Sequence, residues 1–372
     1  MRKFLCILFI ILINNGIYAQ SDSLSVNTNQ PKEVKERGFK KFLSNFTRID
    51  SSYIEPQQFN FAFMLQNTNT YGLYRLKNDQ NQSVTLAPNP SVRIGPFFGW
   101  RWIFLGYTFD ISHLNDNSGK QEFNLSLYSA QVGIDLFYKK TGQVGIDLFY
   151  KKTGNDYKIK NIDLGNSIST KNINNLEFNG FKASIKGFNL YYIFNHHKFS
   201  YPAAFSQSTI QRKSAGSMLM GIGLTEHSVG VDWDNMENLL KEKLNITNQA
   251  VLDSSIRFER IKYTDISLSC GYAYNWAFAH NWLLAGSLSL AVGYKHSKGN
   301  TNNTLGTNTS FSLQNLNLDG IGRFGLVWNN MRWYAGASAI LHGYNYRKKQ
   351  FSTNNIFGTL NIYAGINFGR KK

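Results

Sequence analysis

Cysteine is nearly absent from this 372-residue chain, which has two, Cys6 and Cys270, and proline is almost as scarce at six residues. Cys6 lies in an apolar run from Phe4 to Ile13 that follows Arg2-Lys3, and Ile17-Tyr18-Ala19 then places a small residue before Gln20. A basic start, a short apolar run and a small residue make a secretory leader, assigned to residues 1–19. Its removal leaves Cys270 alone, so no intrachain disulfide can staple the exported protein. Cys6 sits inside the run and not at its end, which argues against a lipoprotein cleavage site. After Ile13 no stretch of about eighteen apolar residues occurs, so any membrane crossing falls to strands. The mean hydropathy of −0.32 is compatible with that, because barrel strands alternate apolar and polar residues.

Negative charge is also in short supply, with 23 Asp and Glu against 40 Lys and Arg and a net charge of +17. Loss of Arg2 and Lys3 with the leader takes that from +17 to +15. Nucleic acid is the usual partner of so basic a chain. Export argues against it, and the lipid phosphates of an outer membrane are the nearer polyanion.

What the sequence does have is a period of two. Trp282, Leu284, Gly286, Leu288, Leu290, Val292 and Tyr294 alternate with Leu283, Ala285, Ser287, Ser289, Ala291, Gly293 and Lys295. Ile266, Leu268, Cys270, Tyr272, Tyr274 and Trp276 alternate with Asp265, Ser267, Ser269, Gly271, Ala273 and Asn275, and Leu360, Ile362, Ala364, Ile366 and Phe368 close the chain in the same way. One apolar face and one small or polar face is the pattern of a strand with lipid outside and a crowded or wet lumen inside.

Six tryptophans flank tight connections: Trp100 and Trp102, Trp276 and Trp282, Trp328 and Trp333. They are read as an interfacial girdle. Short connections alternate with longer polar ones at 113–121, 297–310 and 347–355, the habit of barrels with short periplasmic turns and long outer loops. The expected strands lie near 58–76, 83–95, 99–112, 122–140, 155–162, 180–194, 214–230, 259–278, 281–296, 311–328, 331–346 and 356–369. The expected fold is therefore all-β, a transmembrane antiparallel up-and-down β-barrel of about twelve strands over 56–370. Residues 20–55 form a polar segment with a short basic amphipathic helix from Val34 to Phe46, and a second short helix is expected at Met236–Leu244. The segment 195–213, with Pro202, reads as a periplasmic connection.

Residues 131–142 and 143–154 are identical, each Gln-Val-Gly-Ile-Asp-Leu-Phe-Tyr-Lys-Lys-Thr-Gly. One perfect copy reads as a recent duplication or a sequence-assembly artefact, and not as a solenoid. An even insertion preserves strand facing on either side, but either copy can pair and the other must be extruded or form an extra hairpin.

Ser91-Val-Arg-Ile-Gly-Pro-Phe-Phe-Gly-Trp-Arg-Trp-Ile-Phe-Leu-Gly, Val144-Gly-Ile-Asp-Leu-Phe-Tyr-Lys-Lys-Thr-Gly-Asn-Asp-Tyr-Lys-Ile, Gln211-Arg-Lys-Ser-Ala-Gly-Ser, Gly271-Tyr-Ala-Tyr-Asn-Trp and Phe357-Gly-Thr-Leu-Asn-Ile-Tyr resemble the family called domain of unknown function 4421, over roughly residues 38 to 370. The resemblance implies an exported barrel-like protein and brings no functional residues. The duplication departs from the family pattern, which has one copy.

Catalytic, cofactor and metal signals are weak. Gly320-Ile-Gly322-Arg-Phe-Gly325 spells a dinucleotide fingerprint, but inside a strand and with no following helix. His196-His197 lacks a third ligand at sensible spacing, and Ser214 or Ser217 with Glu226 or His227 has no hydrolase signature. No catalytic residue, cofactor or metal is assigned. The lumen-facing ionisable candidates are Arg93, Asp110, Lys182, Lys186, Asp265, Lys295, Asp319 and Arg323, with Asp319 and Arg323 expected to pair. They either fill a narrow barrel with ion pairs or line a path for a small anionic solute. The functional expectation is a non-enzymatic outer-membrane barrel, a narrow channel or a structural one, with outer-membrane lipids and the barrel-assembly machinery as partners. The alternatives are a lipid-modifying enzyme and an accessory barrel of an export or assembly machine.

Overall fold

The computed structural model describes residues 49–100, 103–106, 109–110, 121–129, 144–152, 157–165, 169–170, 173–246, 250–258, 260–298, 316–347 and 351–371. The leader, the polar segment 20–33 and the helix expected from Val34 to Phe46 lie outside them. The strands are β1 (Ile54–Pro56), β2 (Phe59–Asn78), β3 (Ser83–Pro88), β4 (Ser91–Trp100), β5 (Ile103–Gly106), β6 (Phe109–Asp110), β7 (Gln121–Ser129), β8 (Val144–Lys152), β9 (Tyr157–Asp163), β10 (Leu176–Phe178), β11 (Phe181–Ile193), β12 (Thr209–Gln211), β13 (Ala215–Val231), β14 (Arg260–Ala279), β15 (Trp282–Lys298), β16 (Leu316–Asn329), β17 (Trp333–Arg347) and β18 (Phe351–Arg370). Two α-helices, α1 (Tyr201–Phe205) and α2 (Trp233–Leu244), and a 3-10 turn at Ser254–Ile256 complete the described elements. No helix among the described residues is long and apolar enough to cross a membrane.

The long strands form one antiparallel meander curled into a barrel wall. β2 pairs with β4 on one edge and with β18 on the other, so the first and last long strands meet. From β18 the order runs through β17, β16, β15, β14, β13, β11 and β8 to β7. β4 carries β5 and β6, and among the described residues no pairing joins these to β7. With β5 and β6 taken as one passage, the described residues give the wall twelve strands.

The alternation turns this sheet inside out relative to a soluble one. Ile266 (63% exposed), Leu288 (61%), Leu268, Leu290, Val292 and Phe324 stand on the outside, while Asp265, Asn275, Ser287, Lys295 and Arg323 are buried. Apolar side chains left facing out along whole strands require a lipid solvent.

Three corrections to the expected strands follow. The strand expected at 83–95 is two, β3 and β4, both pairing with β2 but at different heights: β4 opposite 61–70 and β3 opposite 74–77. The strand expected at 155–162 is β9, which leaves the wall and pairs with β3 and β10. The strand expected at 122–140 is β7 alone, and the next wall strand, β8, is the second copy of the repeat, paired with both β7 and β11. The first copy lies outside the described residues.

Tight turns lie at one end of the wall. The β14–β15 turn has Asn281 at φ 64, and the β16–β17 turn has Met331 at φ 80. Met331 is costly in this left-handed region, and it is held from both sides: its N–H donates to Asn329 Oδ1 at 2.8 Å, and Asn367 Nδ2 donates to its carbonyl at 2.8 Å. At the opposite, loop end, β3, β9 and β10 join α2 and residues 250–258 around an apolar core of Leu76, Val84, Leu86, Tyr157, Ile159, Phe181, Met236, Leu240, Ile256 and Tyr263. Asp232 caps α2 by accepting from the Asn235 N–H at 3.0 Å, and Asn245 ends it in the left-handed conformation.

Candidate functional site

Between the loop-end core and the turn end lies a polar layer built by alternate residues of β13 to β17. Lys295 and Asp319 form its centre: Nζ and Oδ1 are 2.9 Å apart with side chains 1% and 4% exposed. Asp319 Oδ1 also accepts the Asn345 N–H at 3.0 Å, and Lys295 donates a second bond to the Asn345 carbonyl. Asp265 is the register partner of Lys295 on β14 and lies against Asp319. The space it occupies is left open by Gly293, where a β-carbon would collide with the Asp265 carboxylate. Lys295 is paired with Asp319, and Asp265 adds a second carboxylate within its field but without a hydrogen bond to it, in a buried setting where an unmatched charge is costly.

An aromatic column stands on this layer. The His227 ring stacks on Tyr263 at 4.4 Å, Tyr263 stacks on Tyr346 at 4.5 Å, and Tyr344 meets His227 edge-on at 4.8 Å and stacks on Phe357 at 5.6 Å. Thr225 Oγ1 and His227 Nε2 are 3.1 Å apart. These residues escaped the sequence reading, although each occupies the inward phase of its strand and that phase alone would have found them.

At the turn end the segment 195–213, expected as a periplasmic connection, does link β11 to β13, but it folds into the lumen. Its α1 lies against β7, β15 and β16. Ala203, Ala204 and Phe205 pack with Met64, Leu283, Ala285, Val327, Tyr334 and Tyr363, all inward positions of the wall. Tyr363 receives a hydrogen bond from Gln207 Nε2 at 2.7 Å, and Asn275 Nδ2 donates to the Ser200 carbonyl at 2.7 Å. Pro202 lies in the first turn of α1, where a missing N–H breaks no helical hydrogen bond. β12 then leaves by pairing with β1. A cavity of about 30 Å³ remains between the two fillings, lined by Asn189, Tyr191, Thr225, Ser269, Ser289 and Arg323 among others. That is room for about two waters.

A family model for the domain of unknown function DUF4421 matches residues 48–368. The chain belongs to this family. No curated protein matches it. Among solved structures, the outer membrane protease OmpT from Escherichia coli is similar at 7% identity and TM-score 0.33, covering 83% of this chain and 97% of that one. The translocator domain of the autotransporter NalP from Neisseria meningitidis is similar at 7% and 0.30, covering 90% and 95%. The P. putida toluene transporter TodX is similar at 8% and 0.22, covering 84% and 91%. None of these likenesses is close enough to bear on the site.

The ionisable residues singled out in this DUF4421 chain fall into separate groups. Asp265, Lys295 and Asp319 meet. Asp319 and Arg323 do not pair: four residues along a strand span about 13 Å, and Arg323 lies instead over the rings of Tyr191 and Tyr201, at 5.4 and 5.9 Å. Arg93 is half-buried on the inward phase of β4, with the backbone of Asp110 as its register partner. Lys182 and Lys186 are not in the lumen. They occupy the outward phase of β11, and Lys186 bonds Glu226 on the outer surface at 3.1 Å. The inward phase there belongs to Phe181, Ala183 and Ile185, which are buried.

Trp100, Trp276, Trp282 and Trp333 are exposed at the turn end, with Trp328 half-buried opposite Trp282. Phe61, Phe98 and Phe368 cluster in the same belt, and Phe278 lies between Trp276 and Trp282. Trp102 lies outside the described residues. His196 and His197 sit with ring centroids 3.9 Å apart, and no group of three metal-ligating side chains occurs among the described residues. Gly320, Gly322 and Gly325 are all within β16.

Proposed function

We propose that this chain is an outer-membrane β-barrel closed at both ends, a structural or docking barrel and not an open channel. The observation that carries the reading is the insertion of residues 199–208 into the turn end of the lumen, on the opposite side of the polar layer from the loop-end core. The exposed apolar rows and the aromatic belt support placement in a bilayer, with the tight turns on the periplasmic side. The burial of Asp265, Asp319 and His227 between the two fillings supports a non-enzymatic role, since a bulky substrate has no route to them. A planar-bilayer measurement on refolded protein tests this. The expected result is no steady conductance. Steady conductance that Ser289→Trp reduces would overturn it.

A further inference from the structure

The outward face of β11, β13, β14 and β15 changes chemistry row by row in register. Leu190, Ile222, Leu268 and Val292 form one apolar row, and Phe188, Leu224, Ile266 and Tyr294 the next. One step nearer the loop end the row is Lys186, Glu226, Thr264 and His296, in which Lys186 and Glu226 satisfy each other. Beyond it come Ser184, Ser228 and Lys262, and then Lys182, Gly230 and Arg260. Lys182, Arg260 and Lys262 are exposed, and none has a carboxylate partner among the described residues.

We propose that Lys182, Arg260 and Lys262, with the hydroxyls of Ser184 and Ser228, bind the phosphate monoester of a membrane lipid, whose charge no headgroup cation offsets. Lys182 and Arg260 stand two strands apart, about 10 Å, and Lys262 lies about 7 Å along β14 from Arg260, so side chains of this length converge on one phosphate. Gly230, between the two outer cations, carries no side chain of its own. Ser184 and Ser228 are register partners and supply neutral donors beside the cations. Phe188, Leu224, Ile266 and Leu268 are the apolar surface below, along which the acyl chains of the same molecule lie. This combination selects a lipid over a free anion. The inference rests on the barrel reading, since the lipid must run along a wall that faces a bilayer.

Native mass spectrometry of the refolded full chain, released from micelles containing phosphatidic acid or phosphatidylcholine, tests the site. Wild type is expected to retain phosphatidic acid and not phosphatidylcholine. The triple variant Lys182→Gln, Arg260→Gln, Lys262→Gln is expected to bind it about a hundredfold more weakly, at about fivefold per cation. The same loss of charge at the turn end, Lys198→Gln, Lys213→Gln, Arg332→Gln, should leave retention unchanged. Undiminished retention by the first variant, or displacement by inorganic phosphate at equal concentration, would overturn the proposal. Heat-modifiable mobility on gels separates the two readings. A folded, heat-modifiable protein without the lipid preference refutes only the phosphate site, whereas a wild type that is not heat-modifiable and retains no lipid refutes the barrel and the site together.

Discussion

The Tyr201 hydroxyl donates to Ser287 Oγ at 2.6 Å, tying the first residue of the inserted helix α1 to the wall strand β15. Tyr201 is almost fully buried and also packs on Tyr191, Phe199 and Phe205. Tyr201→Phe is expected to cost about 1 kcal/mol of unfolding free energy through the lost hydrogen bond. Tyr201→Ala is expected to cost about 3–5 kcal/mol, the range for emptying an aromatic site. Urea titration in micelles reads both, and equal small losses would show that the segment is not anchored in the lumen.

Lys295 pairs with Asp319 and has the buried Asp265 carboxylate in its field. Lys295→Met should therefore destabilise by about 3–5 kcal/mol, and Asp265→Asn added to it should recover part of the loss by removing one uncompensated charge. A double-mutant cycle on Asp319 and Lys295 should show strong coupling, whereas Asp319 and Arg323, about 13 Å apart along β16, should be additive within about 0.5 kcal/mol. Coupling of the second pair alone would contradict the geometry of the polar layer.

The period-two pattern made β13 to β18 legible within a few residues, because at mid-wall the outside is uniformly apolar and the inside small or polar. The rule fails near the loop end. There the inside is the apolar core of Phe181, Ala183, Val229 and Tyr263, and the outside is charged, so Lys182 and Lys186 look lumenal to anyone applying the mid-wall rule. β9 was indistinguishable from a wall strand for a similar reason: Tyr157, Ile159 and Ile162 bury one face whether they line a barrel or close its mouth. Nothing in Tyr201-Pro-Ala-Ala-Phe205 says on which side of the wall it lies. Partners on distant strands decide that: Ser287 for Tyr201, Tyr363 for Ala204 and Gln207, and Asn275 for the preceding Ser200.

Leu288 and Ser287 are adjacent and face opposite solvents. Leu288→Arg should cost about 2–4 kcal/mol if the site lies at the bilayer midplane. The sequence pattern suggests that Ser287→Arg would be milder. The structure reverses this, since Ser287 is buried against Tyr201 and has Arg323 as its register partner. Ser287→Arg should displace α1, a shift that limited proteolysis at 195–213 would report. Protection equal to wild type would refute the contact.

Outside the wall, Asp253 holds the 3-10 turn by accepting the Ser255 N–H at 2.8 Å. Hydrogen bonds from the Ser255 side chain and backbone place its carboxyl below the ordinary value. A carboxyl lowered on folding contributes stability above the ordinary carboxylate range and loses it as pH falls through the lowered value. Amide protection in 250–258, taken relative to intrinsic exchange at each pH, should therefore fall as the carboxyl is protonated on acidification. Asp253→Asn should exchange faster than wild type at neutral pH and lose this dependence. A variant that keeps the wild-type profile would assign the transition to another group.

Ser129 and Val144 are register partners at the turn end of β7 and β8, with fourteen residues between them. Twelve of those fourteen have the length of one repeat unit. Deleting residues 143–154 leaves the first copy, whose Val132 is identical in context to Val144, so Ser129 and Val132 become partners across Ala130-Gln131 alone. A two-residue hairpin loop is the tightest common connection, and the β14–β15 turn at the same end has that length, His280-Asn281. Shortening a loop from fourteen residues to two lowers the closure entropy cost by roughly 2 kcal/mol, less any strain in the turn. The deletion also removes the competition between two identical sequences for β11 and leaves the facing of every later strand unchanged. The shortened chain is expected to remain heat-modifiable and to be no less stable than the parent in urea. Trypsin should cut the parent near Lys139 and Lys140, in the surplus copy, and the deletion should abolish that cut. If the deletion prevented insertion into the outer membrane, both copies would be needed as strands, and the order β11–β8–β7 would have to be redrawn.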